Sequence, residues 1–119
     1  MNIMHKELSR LATEVLREFP EVSKIVSYGS VSRGDHTPSS DVDLAFICDD
    51  LYKGISEDLE GYPAGLRRRI DEALGAIDNP DNIKFHLPLY WDGEFESGIE
   101  LGRDLLHEVG VVVHDEYAE

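Results

Sequence analysis

Asp41 and Asp43 stand two residues apart at the head of an apolar run, Val42-Asp43-Leu44-Ala45-Phe46-Ile47-Cys48. In a strand, alternate residues share a face, so this spacing predicts two carboxylates pointing the same way. Like charges held about 5–7 Å apart repel, and a bridging cation removes the cost. Oxygen donors with open positions suit Mg²⁺ or Mn²⁺ and not zinc. Asp41 and Asp43 are therefore the candidate metal ligands and catalytic residues.

Gly29-Ser30 lies upstream, where a Val- and Ile-rich run ends. A glycine there permits close backbone approach, the N–H groups that follow can point at a phosphate, and the Ser30 hydroxyl adds a donor. Phosphoryl and nucleotidyl transfer need that combination of a metal to neutralise phosphates and donors to fix them. A lone Asp-x-Asp is common, and a lone Gly-Ser turn says almost nothing. Gly-Ser, a ten-residue spacer and Asp-x-Asp on an apolar strand is a far more restrictive pattern.

These residues need elements to hold them. Leu8, Leu11, Ala12, Val15, Leu16 and Phe19 recur at three- and four-residue steps, which predicts a helix over 4–19 that Pro20 stops. Val22–Tyr28 and Val42–Cys48 read as strands, the second largely apolar and so central. Between them, 29–40 is polar turn with room for a short helix. The acidic stretch 49–64 reads as loop. A helix follows over 65–77, with Leu66, Ile70, Ala73, Leu74 and Ile77 inward. It carries Arg67-Arg68-Arg69, the one dense basic cluster, either a solvated face or a docking patch for an acidic partner or phosphate. After a turn at 78–81, a strand is expected over 83–90. A helix is expected over 95–109, with Gly98 and Gly102 allowing close approach to a neighbour and Gly110 as its C-terminal cap. A short strand over 111–113 and a fraying acidic tail, 115–119, complete the chain. This order gives one α/β (α+β) domain over 1–119, a mixed β-sheet flanked by helices.

Composition bounds the function. The 119 residues include 25 acidic and 11 basic ones, for a net charge of −14. Such a chain repels nucleic acid and anionic membrane at long range, and an anionic nucleotide needs local charge reversal by a metal or positioned donors. The single cysteine, Cys48, excludes an intrachain disulfide and multi-thiolate metal sites, and it sits where a small core residue belongs. No run approaches the roughly 20 apolar residues of a membrane span. Met1 to Lys6 lacks the basic start and apolar centre of a signal peptide, so a cytoplasmic protein is expected.

Gly29-Ser30, the ten-residue spacer and Asp41-Val42-Asp43 resemble the nucleotidyltransferase motif of the DNA polymerase β superfamily. The flanking Ser-Val-Ser-Arg-Gly-Asp and Ser-Asp-Val-Asp-Leu look like its minimal nucleotidyltransferase (MNT) group. The resemblance implies a nucleotidyltransferase-like mixed sheet, Gly29 and Ser30 on the triphosphate, and Mg²⁺ (or Mn²⁺) on Asp41 and Asp43. It implies transfer of a nucleoside monophosphate, from ATP by family habit, to a hydroxyl. Arg33 matches an arginine frequent in this loop, which contacts phosphate or braces the loop; Ser32 and Asp35 read as turn and cap residues. Small MNT proteins are commonly paired with a helical HEPN protein as antitoxin to toxin, so a protein acceptor is implied. A homo-oligomer through a sheet edge is open, and aminoglycoside adenylylation lacks the extra helical domain of relatives that perform it.

One departure stands out. The superfamily has a third carboxylate on a later strand, and Ile83-Lys84-Phe85-His86-Leu87-Pro88-Leu89-Tyr90 contains no acid. Alternation places Lys84, His86 and Pro88 on one face, so the third acid's place falls to Lys84 or His86. His86 is either a general base or an ordinary polar residue at a sheet edge. The alternative to an enzyme is therefore a catalytically impaired domain that binds a partner or nucleotide.

Overall fold

The structure, a computed structural model, describes residues 3–117. Helix α1 (Ile3–Leu16) leads into strand β1 (Val22–Tyr28), short helix α2 (Gly29–Arg33) and strand β2 (Val42–Cys48). A 3₁₀ turn (Asp50–Tyr52) and a loop lead to helix α3 (Leu66–Gly75). Two short strands follow, β3 (Phe85–His86) and β4 (Leu89–Trp91), then helix α4 (Asp92–Glu96). A hairpin of β5 (Glu100–Leu101) and β6 (Asp104–Leu105), helix α5 (Leu106–Val109) and strand β7 (Val111–Asp115) finish the order.

The main sheet runs β3-β2-β1-β7, with β4 also paired to β2 beyond β3. β1 is antiparallel to β2 and to β7, whereas β3 and β4 lie parallel to β2, so the sheet is mixed as expected. From Leu44 to Cys48, β2 is buried on both faces, which explains the apolar run there. Its Val42, Leu44, Phe46 and Cys48 join the core under α1 and α3, with Leu8, Leu16 and Ile70. Ala45 and Ile47 join a smaller cluster on the opposite face, with Val26, Tyr28, Phe95 and Leu106.

Several expectations are corrected. The strand expected over 83–90 is two pieces, because Pro88 has no N–H to extend the ladder. Its carbonyl still accepts the Phe46 N–H at 3.0 Å, so β3 and β4 lie on one line beside β2. The helix expected over 95–109 does not exist. Gly98 (φ 85°) and Gly102 (φ 67°) take left-handed conformations, and the chain breaks into α4, a hairpin and α5. Gly110 sits at the end of α5 with extended backbone, φ −82°, and not as a left-handed cap. A Cβ there would fall 2.3 Å from Val26 Cγ1, so close packing on β1 demands this glycine. The fraying tail is also revised. Asp115 pairs with Lys24 in the sheet, the Glu116 N–H donates to Ser23 at 2.8 Å, and the Tyr117 hydroxyl bonds Asp49. Positions 118 and 119 of that tail lie outside the described residues.

The arginine triplet is dispersed by the helix that carries it. Arg69 pairs with buried Glu21 and covers the Phe19 ring, Arg67 donates to the Leu87 carbonyl at 2.7 Å, and only Arg68 is fully exposed. A shared docking patch is thus not formed. No described helix is long and apolar enough to cross a membrane.

Candidate active site

β1 and β2 bring the two motifs together by register. Tyr28, the last residue of β1, pairs with Asp43. The chain then turns sharply at Gly29, which takes φ 75°, into the first turn of α2. A Cβ on Gly29 would lie 2.2 Å from Asp43 Oδ2. The glycine is therefore required twice, by its backbone angle and by the carboxylate packed against it. The first-turn N–H groups of α2 have no helical carbonyl to meet, and no side chain caps them. Gly34 closes the helix in the left-handed region at φ 83°, and its N–H returns to the Ser30 carbonyl at 2.9 Å.

The loop to β2 is braced from two sides. Ser40 Oγ accepts the Thr37 N–H at 2.9 Å. The Ser40 carbonyl accepts Nε2–H of His5, a buried residue of α1, at 2.8 Å. Asp41 follows directly, exposed and one residue ahead of β2. It opens onto a cleft of about 300 Å³ shared with Ser39, Ser40, Asp81 and Lys84. Asp43 is withdrawn, with 18% of its side chain exposed.

Burial raises the Asp43 carboxyl above its usual range, His86 opposes that shift, Asp41 adds to it and Arg33 opposes it. These influences make Asp41, Asp43, Arg33 and His86 electrostatic neighbours, while Gly29 touches Asp43 directly. Arg33 braces the loop through an exposed ion pair to Asp35 at 3.3 Å, which contributes little stability. Arg33 also lines a cleft of about 240 Å³ with Tyr28, Gly29, Leu101, Asp104 and Val109. The wall from Leu101 to Val109 was invisible while that stretch read as one helix.

His86 is the β3 partner of Asp43 in the parallel ladder. Its Nδ1 lies 3.3 Å from Asp43 Oδ1 and 3.0 Å from the Tyr28 hydroxyl. Lys84 lies beside Asp41's cleft instead. Of the two residues expected at the place of a third carboxylate, His86 is the one beside Asp43. Tyr28 is the participant that motif spacing missed, although its position directly before Gly29, on the Asp43 face of the sheet, was a usable signal. Burial and the Asp43 charge push its phenol far up, so the hydroxyl stays protonated.

The Nucleotidyltransferase domain family matches residues 8–107. The chain belongs to that family. No curated protein sequence matches it. Among solved structures, it is similar to a protein from Sulfolobus solfataricus described as a candidate nucleotidyltransferase. The two share 18% identity over 95% of this chain and 81% of that one, with a TM-score of 0.54, a likeness of fold. The resemblance read from Gly29-Ser30 and Asp41-Val42-Asp43 and the mixed sheet flanked by helices are both borne out. This is a nucleotidyltransferase domain.

A divalent metal suits the donors present. Asp43 is a carboxylate that burial and Asp41 both disfavour in its charged form, and a dication reverses both effects. Among the described residues no three His, Cys, Asp or Glu side chains form a ready cage. Mg²⁺ is commonly held by one or two carboxylates, with substrate phosphates and water completing its octahedron. Asp41 and Asp43 are the two carboxylates here that could supply those ligands.

Proposed function

We propose that this domain transfers a nucleoside monophosphate, AMP from ATP, to a hydroxyl of a partner protein. The observation that carries the reading is the contact of Asp43 with Gly29, which joins a metal-ligating carboxylate to a phosphate-gripping turn. Asp41 and Asp43 would hold Mg²⁺, or Mn²⁺, and when bound that ion would supply the positive charge that a triphosphate needs here. Gly29 and Ser30 fix the triphosphate through the first-turn N–H groups and the Ser30 hydroxyl. Arg33, on the neighbouring cleft, contributes a positive charge.

The acceptor oxygen attacks the α-phosphorus, the bond from that phosphorus to the bridging oxygen breaks, and pyrophosphate leaves. His86 receives the acceptor's proton. With Nδ1–H donated to Asp43 Oδ1, the Nε2 lone pair is available to a hydroxyl, and 58% of the side chain is exposed to receive one. Asp43 so orients the imidazole as well as binding metal.

The clefts around these residues are open, so a partner completes the enclosure. A helical HEPN-type protein, in a toxin–antitoxin pair, is the partner that the sequence resemblance implies. The test is transfer of labelled nucleotide from ATP with Mg²⁺ and the co-purifying partner. Absence of label on any protein under those conditions sinks the enzymatic reading. A second reading, a nucleotide- or partner-binding module without catalysis, is favoured by His86 standing where an acid is expected. It requires partner binding by calorimetry that Asp41→Asn and Asp43→Asn leave unchanged, with no transfer by the parent protein.

A further inference from the structure

Along the edge of the sheet beyond the active site, side chains take both outward backbone groups of Ile83 and the Leu87 carbonyl, and leave both groups of Phe85 bare. Val42 N–H donates to the Lys84 carbonyl at 2.9 Å, so Lys84 and His86 turn their backbone groups towards β2. Ile83, Phe85 and Leu87 then turn theirs outward. At Ile83, the Asn79 side chain takes both groups, accepting the N–H at 3.0 Å and donating to the carbonyl at 2.7 Å. At Leu87, Arg67 Nη1 donates to the carbonyl at 2.7 Å. Phe85 lies between them, and among the described residues neither its N–H nor its carbonyl has a partner.

A cleft of about 490 Å³ runs beside this gap, between α3 and β3. Leu74, Ile77, Phe85 and Leu87 give it an apolar floor, and Arg67 and Lys84 give it two cations against one anion, Asp71. That local balance is positive in a chain of net charge −14. The cleft shares Asn82, Ile83 and Lys84 with the cleft of Asp41, so the two adjoin.

We propose that an extended, acidic-flanked segment of the acceptor protein docks here, pairing antiparallel with the two bare groups of Phe85. Strand addition takes its affinity from such main-chain bonds and its specificity from pockets for alternate side chains. The residue opposite Phe85 exchanges both bonds and sends its side chain into the cleft. Its neighbours project on the Asp43 face, about 4.8 Å from β3, where a hydroxyl lies next to His86. Acidic residues at the ends of the segment meet Arg67 and Lys84. Naming the segment an acceptor rests on the transfer reading above; the docking itself does not.

The experiment uses ¹⁵N-labelled protein without nucleotide and an acetylated, amidated peptide, Glu-Val-Ser-Val-Ser-Val-Glu. Saturable shifts are expected at the Phe85 amide and along the facing side of α3, around Leu74 and Gly75. N-methylation of the valines, which removes the N–H groups aimed at β3, should weaken binding at least tenfold, while N-methylation of the serines should leave it within about twofold. Phe85→Pro, which deletes the outward N–H at a position where an edge strand tolerates proline, should lose binding at least tenfold with an unchanged circular dichroism spectrum. Equal effects of the two methylation patterns, greater loss from the serine pattern, or shifts elsewhere overturn the proposal. Those failures would leave labelled-nucleotide transfer untouched, so the two readings are separable.

Discussion

The two faces of the sheet are built differently. Under α1 and α3, β2 sends Leu44, Phe46 and Cys48 into a core where all three are fully buried, alongside Leu8, Leu16 and Ile70. On the other face the apolar cluster is small, and it ends at Asp43, Tyr28 and His86. One face stores the stability, and the thin face tolerates a half-buried carboxylate with an imidazole and a phenol around it. A strand shared by both faces lets the first hold the second in place. Stability and chemistry should therefore separate when residues one or three apart on β2 are changed.

The sharpest break is Asp43→Asn. Transfer should fall by about a thousandfold or more, since the metal's contribution is several kcal/mol. The melting temperature should hold or rise, because the variant removes a carboxylate that burial disfavours. A matching loss of stability would mean that the two faces are not separate. Phe46→Ala tests the converse. Unfolding in urea should reveal a loss of about 3–5 kcal/mol, whereas Phe95→Ala on the thin face should sit at the low end of that range. Gly29→Ala joins the two effects. Its methyl forces Asp43 aside and strains a left-handed backbone, so transfer should drop about a hundredfold, with a stability loss of about 1–3 kcal/mol.

A smaller effect belongs to the link between β1 and α4. Lys24 Nζ lies 2.9 Å from Asp92 Oδ1. Burial alone would lower the Lys24 ammonium, but the Asp92 bond and the charges of Asp92, Asp115 and Glu96 outweigh it, so the net shift is upward. A raised folded value means this contribution is fully present below the unfolded value, near pH 10.5, and disappears as pH climbs through the folded one. Lys24→Met should cost about 1–2 kcal/mol at pH 8, and the gap to the parent should close as pH climbs through the raised folded value in melting curves. Tyr28→Phe should be the mildest change, about a three- to tenfold loss of rate with a stability change under about 1.5 kcal/mol.

How legible each part was follows from the same contrast. β1, β2, α1 and α3 bury continuous stripes, and stripes survive in sequence as periodicity. Asp41 and Asp43 were readable because strand geometry ties spacing to direction. The stretch 95–109 misled because Phe95, Ile99, Leu105 and Leu106 imitate a helical stripe across a hairpin. The positive φ at Gly98 and Gly102 decided otherwise, and a glycine does not announce in sequence which region of φ it will take. The Asp43–His86–Tyr28 contacts depend on β3 lying next to β2, a pairing of residues 43 positions apart for Asp43 and His86, which no local pattern encodes. Asn79 and Arg67 as guards of the β3 edge are likewise tertiary facts.

The contact between Gly29 and Asp43 has a genetic consequence. In a saturation library, the two positions should behave as a single locus. Side chains at 29 should mimic loss at 43, and trimming 43 to alanine should relieve the steric part of the Gly29→Ala folding defect, because the methyl then enters space the carboxylate has left, while the left-handed strain stays. Such a double variant would regain part of its stability and none of its reaction. A screen for soluble protein and a screen for activity would then rank the same pair of changes in opposite order.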